Sequence, residues 1–312
     1  MPLSKDTLHQ EAHDYISQAL HELESMGCHI GNWSIDHLCY RVPTTEDYSK
    51  NKDILSRCGT LLTESEVAGR PIATYKLHTP IQVDGRIVDL LELPAPKSGK
   101  ACAEGFEHIE VVLPIPFQDL ISSHPHLAFD TSGLRKPFNQ ELKLSTAAGV
   151  VKFHHLSLES VIGMETAVQA YNALRASNIL NCLHEFQPLI AGTIPLGLDL
   201  PQSDLDIIVS AWSLPKLQDA VRERYGACAE FHDQVTTVHM EASYVARFYV
   251  DEIKFEVFGQ EKSSVLGQAY QHFLIEERLL KVHGDSLRQR VMQLRQTENL
   301  KTEPAFAKAL GL

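Results

Sequence analysis

Apolar positions at Leu8, Ala12, Tyr15, Ile16, Ala19, Leu20 and Leu23 recur at the spacing of one helical face, and Gly27 ends the run. The pattern predicts a helix over 4–26. An extended run at 33–42 and a helix at 46–57 follow. Three strand-like runs come next, 59–67, 70–78 and 86–93, with Ala68-Gly69 turning the first into the second and Val83-Asp84-Gly85 preceding the third. The pattern then restarts. Ile35-Asp36-His37-Leu38 is echoed by Phe106-Glu107-His108-Ile109: an acid, a histidine, an apolar-rich run, and a proline six residues past the histidine (Pro43 and Pro114). A short helix at 116–123 and strands at 138–145 and 149–155 repeat the order of elements. This predicts a βαβββ unit used twice, an internal repeat of about seventy residues.

A helical stretch at 160–181 leads into a second α+β pattern. Its strands are expected at 187–192, 204–209 and 244–258, the last a hairpin turning near Asp251-Glu252, with helices at 214–224 and 263–282. Leu266, Tyr270, Phe273, Leu274 and Leu280 fall on one face of the last helix, which His283-Gly284 closes. The expected fold class is α+β: paired βαβββ units forming a barrel over 1–165, then an α+β domain over 166–312.

Composition is consistent with two cores: 312 residues, 44% apolar. The net charge of −12 argues against a nucleic-acid or anionic-membrane partner held by bulk charge. No apolar stretch reaches the roughly 18–20 residues that cross a bilayer, and no signal-peptide pattern is present. The six cysteines form no C-x-x-C pair, which points away from a disulfide framework or a cysteine zinc site. A reduced, cytoplasmic chain is expected.

Two constellations carry chemistry. In the first, His37 and His108 occupy equivalent points of the two first strands, Glu92 lies in the last strand of the first unit, and His154 in the last strand of the second. A paired βαβββ barrel draws metal ligands from those four strands. A lone strand histidine is ordinarily a core residue; the repeat-equivalent pair, with an acid and a third histidine in the other two places, favours a site. Imidazole with carboxylate suits Zn, Mn, Fe or Ni. Lys76, His78 and Arg41 are candidates for contacting a substrate.

The runs Ile35 through Val42, Gly69-Arg70-Pro71-Ile72, Lys76-Leu77-His78, Glu92-Leu93-Pro94, Glu107 through Pro114 and Lys152-Phe153-His154 resemble the YecM branch of the vicinal oxygen chelate superfamily, over roughly 5–165. That resemblance implies paired βαβββ modules and a divalent metal. It carries no reaction with it. Glu92 and His154 match the branch's pattern; His155 does not.

In the second constellation, Asp204 and Asp206 stand two apart at a strand start, so both carboxylates project to one side. Glu256, flanked by Phe255 and Val257, supplies a third acid from a neighbouring strand. Thr193 lies eleven residues before Asp204, and Gly192-Thr193 makes a small loop whose N–H groups and hydroxyl suit phosphate oxygens, with Ser203 assisting. Such a triad suits Mg²⁺ and nucleotidyl transfer, Asp204 and Asp206 holding the metal. The segment from Ala191 to Asp206, Phe255 through Gln260, and Lys301 through Ala307 resemble an uncharacterised bacterial nucleotidyltransferase-like family over about 180–312. The expected partners are a nucleoside triphosphate and a small-molecule ligand. Two other readings remain open at this point: a metal-dependent isomerase or lyase run by the first domain, and a ligand and nucleotide sensor without turnover.

Overall fold

The N-terminal apolar spacing is realised as α1 (Leu8–Ser25), which buries Leu8, Ala12, Ile16, Ala19, Leu20 and Leu23 along one stripe. The computed structural model describes residues 6–67, 69–136, 138–200 and 203–312. Of the positions read above, residues 4 and 5, Ala68, Pro201 and Gln202 lie outside the described residues. Internal contacts separate two units, Met1–Leu113 with Phe117–Leu158, and Pro114–Pro116 with Glu159–Leu312.

In the first unit, β1 (Ile35–Arg41) leads into α2 (Thr45–Cys58), whose Thr44 cap accepts a hydrogen bond from Asp47 N at 3.0 Å. Then come β2 (Gly59–Val67), β3 (Arg70–Val83) and β4 (Arg86–Pro94). The second module runs β5 (Gly105–Val112), α3 (Phe117–Ser123), β6 (Glu141–Ser145) and β7 (Val150–His154). The strand order is β2-β3-β4-β1-β5-β7-β6, with β4 parallel to β1 and β7 parallel to β5. The two modules thus join through the antiparallel β1–β5 ladder.

Two expectations need correction here. The second module holds two of its three later strands as ladders; the remaining one is reduced to an isolated bridge between Asp130 and Lys143. The sheet is also open by order. Among the described residues no ladder joins β2 to β6, so the expected barrel is not closed by hydrogen bonds.

In the second unit, the expected helix over 160–181 is broken into α4 (Leu158–Thr166), α5 (Val168–Ser177) and α6 (Ile179–Cys182). Asn178, at φ 51°, supplies the left-handed residue that ends α5. A five-stranded sheet follows, built from β8 (Leu189–Ala191), β9 (Leu205–Ser210), β10 (Ala229–Val238), β11 (Glu241–Val250) and β12 (Ile253–Gln260). Its order is β10-β11-β12-β9-β8, with β9 and β12 parallel. The β11–β12 hairpin turns at Asp251 and Glu252, both at positive φ, where the sequence placed it. α7 (Leu214–Tyr225) packs on this sheet, and Tyr225, Phe248 and Phe255 stack in series at centroid spacings of 4.8 and 5.5 Å.

The last helical region differs from the expected 263–282. A short 3₁₀ turn (Ser264–Leu266) precedes α8 (Gln268–Glu298), and α9 (Thr302–Leu310) follows. Gly284 (φ 65°, ψ −157°) breaks α8 as expected, but the helix resumes beyond it. Tyr270, Phe273 and Leu280 are buried, whereas Leu266 lies on the preceding turn and is exposed.

Candidate functional sites

Strand alternation places His37 and Cys39 of β1, Glu92 of β4, His108 and Glu110 of β5, and Lys152 and His154 of β7 on one face. Cys39 stands opposite both Glu92 and His108, and Glu110 opposite Lys152. The side chains are held from behind. His37 Nδ1 lies 2.8 Å from Asp36 Oδ2, and that oxygen also accepts from Leu158 N at 2.8 Å. His108 Nδ1 lies 3.1 Å from Glu107 Oε2. A carboxylate on Nδ1 fixes the ring and turns the Nε2 lone pair toward the site, the arrangement that supports metal-ligating histidines.

Donor atoms of His37, Glu92 and His108 all lie within 4.8 Å of one another, and so do those of Cys39, Glu107 and His108. His154 stands beside the first group. Its Nε2 is 3.4 Å from Glu110 Oε2 and 3.5 Å from Asp36 Oδ2. His37 Nε2 and both nitrogens of His154 are buried without a hydrogen bond. Such atoms ordinarily have a partner, and a borderline cation is one that imidazoles and a carboxylate fit.

Glu110 and Lys152 were not singled out from the sequence, yet they occupy the middle of the cluster. Glu110 Oε1 is 2.6 Å from Lys152 Nζ, 3.2 Å from His108 Nε2 and 3.5 Å from His37 Nε2. Lys152 Nζ is also 2.9 Å from His108 Nε2. Burial opposes the Glu110 charge, but His37, Lys152 and His108 outweigh it and hold the carboxyl well below its ordinary range. Burial likewise opposes a charge on His37, and Glu110 with Asp36 overcomes it, raising the imidazole to about 10. A proton and a metal ion compete for that lone pair. The signal for both missed residues was present: each lies two positions from a chosen histidine on the same strand.

The other first-unit candidates each have a partner, and Arg41 takes the carboxylate that stands behind His108. Arg41 bonds Glu107, Lys76 lies 3.8 Å from Asp89, and the exposed His78 lies 3.3 Å from the Thr60 hydroxyl. His155 is structural. Its Nδ1 contacts the Leu113 carbonyl at 2.8 Å, its ring lies 4.3 Å from Phe117, and burial pushes it down to about 4.

In the second unit a cleft of about 650 Å³ is lined by Gly192, Thr193, Ser203, Asp204, Asp206 and Glu256, among others. Asp206 and Glu256 are Cα partners across the parallel β9–β12 ladder, and Asp204 precedes Asp206 by two. Lys254 Nζ lies 3.1 Å from Asp204 Oδ2, and Arg247 binds Glu256 Oε2 through Nε (2.7 Å) and Nη2 (2.5 Å). Burial, and then the charges of Glu256 and Asp204, push Asp206 up to about 7 against the pull of Arg247 and Lys254. Among the described residues, the three carboxylates do not gather as tightly as the first-unit group. Gly192, at φ 77°, lies against Asp206. Thr193 lines the cleft, and its carbonyl accepts from Leu198 N at 3.0 Å. The Ser203 hydroxyl accepts from Leu200 N at 2.8 Å, so it braces the loop.

Comparison with known proteins bears on both units. The YecM protein family model matches residues 4–165, and residues 172–312 match a domain of unknown function, DUF4269. The chain belongs to the YecM protein family. It is 31% identical to Protein YecM of Escherichia coli (strain K12) over 166 residues, 47% of this chain and 87% of that one. A structural-genomics protein of solved structure is 32% identical, covering 51% of this chain and 93% of the other, with a TM-score of 0.42. The Cid1 poly(U) polymerase structure is 16% identical over 45% of this chain and 42% of its own, with a TM-score of 0.30. Among the described residues, no helix is long and apolar enough to cross a membrane.

Proposed function

We propose that this YecM-family chain is a two-domain enzyme, divided at 165/166, whose second domain moves a nucleotidyl group from a nucleoside triphosphate to a small acceptor. The observation that carries this reading is the convergence of Asp204, Asp206 and Glu256 on one cleft with Gly192 and Thr193 at its edge. Three acids, one of them raised to about 7, repel one another, and a cation bound there relieves that repulsion. Asp204, Asp206 and Glu256 would hold Mg²⁺, which when bound would neutralise charge on the triphosphate and lower the barrier to attack by the acceptor oxygen. Gly192 and Thr193 bind phosphate oxygens through backbone N–H and hydroxyl. Ser203 acts indirectly, by shaping the loop that carries Asp204. The acceptor oxygen bonds to the α-phosphorus, the bond to the β-phosphate oxygen breaks, pyrophosphate leaves, and the acceptor's proton passes to solvent.

Calorimetric titration of ATP, CTP, GTP and UTP with Mg²⁺ tests this on wild type and on Asp204→Ala/Asp206→Ala. Magnesium-dependent binding of at least one nucleotide, lost in the double variant, is expected. No binding at millimolar nucleotide overturns the reading, and binding without pyrophosphate release in the presence of candidate acceptors assigns a nucleotide sensor instead.

A second activity is favoured by the carboxylate-backed His37 and His108 beside Glu92. These residues, with Glu110 or His154 as further donors, fit a divalent metal of the Zn, Mn, Fe or Ni type. When bound, such an ion would supply Lewis-acid polarisation of a substrate oxygen, the chemistry of an isomerase or lyase.

A further inference from the structure

The first-unit cluster already contains a cation of the chain's own. Lys152 lies on the strand face that carries His37, Glu92 and His108, and its side chain is 19% exposed. Nζ lies 2.6 Å from Glu110 Oε1 and 2.9 Å from His108 Nε2. A carboxylate so near keeps the lysine charged, and an ammonium can only donate. Glu92 adds to the attraction.

The contact with His108 has a fixed sense. Glu107 Oε2 lies 3.1 Å from Nδ1, and a carboxylate accepts, so Nδ1 carries the ring proton. Nε2 then holds the lone pair, and Lys152 donates to it. Both neighbours of the ring therefore dictate the same tautomer. That lone pair is also the one His108 has to offer a divalent ion. A zinc–imidazole bond is about 2.0–2.1 Å long. An ion on the axis now taken by Nζ would stand roughly 1 Å from that nitrogen, so the two cannot be there together.

We propose that the Lys152 ammonium is the resident counter-cation of this site, and that a divalent ion enters only by displacing it from His108 Nε2. The metal-free site is thus closed by the chain's own charge, with Glu110 already paired. Entry of an ion breaks the hydrogen bond from Lys152 to His108 and sets a second positive charge beside the first. Like charges a few ångströms apart in a partly buried site repel strongly. Both effects weaken metal binding, and neither exists in a chain without the lysine's charge.

The inference rests on the divalent-metal reading of the first unit and deepens it. Its test is calorimetric titration of Zn²⁺ into metal-stripped wild type, Lys152→Gln and Lys152→Arg, with His37→Ala/His108→Ala as the chain that has lost the site. Lys152→Gln keeps a donor for Glu110 and removes the charge; Lys152→Arg keeps the charge. Cooperative thermal unfolding shows that each variant is folded. Lys152→Gln should bind one ion at least tenfold more tightly than wild type, and Lys152→Arg no more tightly. A crystal structure of the Zn²⁺-loaded wild type, which needs no variant, should place Nζ beyond hydrogen-bond distance of His108 Nε2. Equal affinity of Lys152→Gln and wild type, a gain shared by Lys152→Arg, or a bound ion with the Lys152–His108 contact kept overturns the inference and leaves the metal reading standing. Zn²⁺ binding by none of the chains, or undiminished in His37→Ala/His108→Ala, overturns the metal reading and this inference with it.

Discussion

A Cβ atom on Gly192 would lie 1.8 Å from Asp206 Oδ2. The glycine is therefore the space that the carboxylate occupies, at a φ of 77° that L side chains rarely adopt. Gly192→Ala is expected to displace the Asp206 carboxylate and weaken nucleotide binding at least tenfold. The left-handed backbone adds a stability cost of about 1–2 kcal/mol. Urea unfolding and calorimetric titration of one sample measure both effects; unchanged binding removes the glycine from the site.

The first-unit cluster makes a separate prediction. His37→Ala/His108→Ala should abolish uptake of one divalent ion by the purified chain, read by elemental analysis after incubation with Zn²⁺ or Mn²⁺ and desalting. Asp36→Asn, which leaves every donor in place but loosens His37, should weaken affinity about 10- to 100-fold. Retention of metal by the double variant would sink the assignment.

His155 separates a ligand from a neighbour that only supports the fold. His155→Ala removes the contact to the Leu113 carbonyl and the packing against the Phe117 ring, at a cost of about 1–3 kcal/mol in unfolding free energy. Metal stoichiometry should not change.

Glu276 gives a pH dependence of known sign. Its folded pKa of about 8 stands above the ordinary 4.5, so the fold binds its proton more tightly than the unfolded chain does. The stabilisation is complete below about pH 4.5 and is lost as pH rises through 8. Glu276→Gln should flatten the fall in melting temperature between pH 6 and 9, on a scale of pH set by that pKa. The raised carboxyl of Asp206 acts in the same direction and is common to both proteins, so the difference isolates Glu276. Parallel melting curves for the two would contradict the buried, protonated carboxyl.

Much of this molecule is legible in the residues. The repeat around His37 and His108 marks the two first strands, and Asp251-Glu252 marks the hairpin turn, because each is a local signal. Glu110 and Lys152 escaped because the repeat does not mark them: in the first module Cys39 and Leu90 stand at the matching positions, two residues from His37 and Glu92. β10 escaped for a different reason. It lies at the sheet edge, partly or fully exposed along its length, so Glu230-Phe231-His232-Asp233-Gln234 shows no buried face to read. Barrel closure was illegible because it depends on which distant strands pair, and among the described residues β2 and β6 stand at the two ends of the strand order. α9 is nine residues long, with Ala305 and Phe306 as its buried residues, too little for a periodic pattern.

The parallel ladders β1–β4, β5–β7 and β9–β12 each unite strands separated by intervening elements, and each carries site residues: Glu92 with the His37 strand, Lys152 with Glu110, Glu256 with Asp206. During synthesis the two groups of residues therefore come together in turn, the first needing the chain through His154 and the second the chain through Glu256. Asp206 meets Glu256 only when β12 has been synthesised and docked, by which point every residue of the first cluster has long left the ribosome.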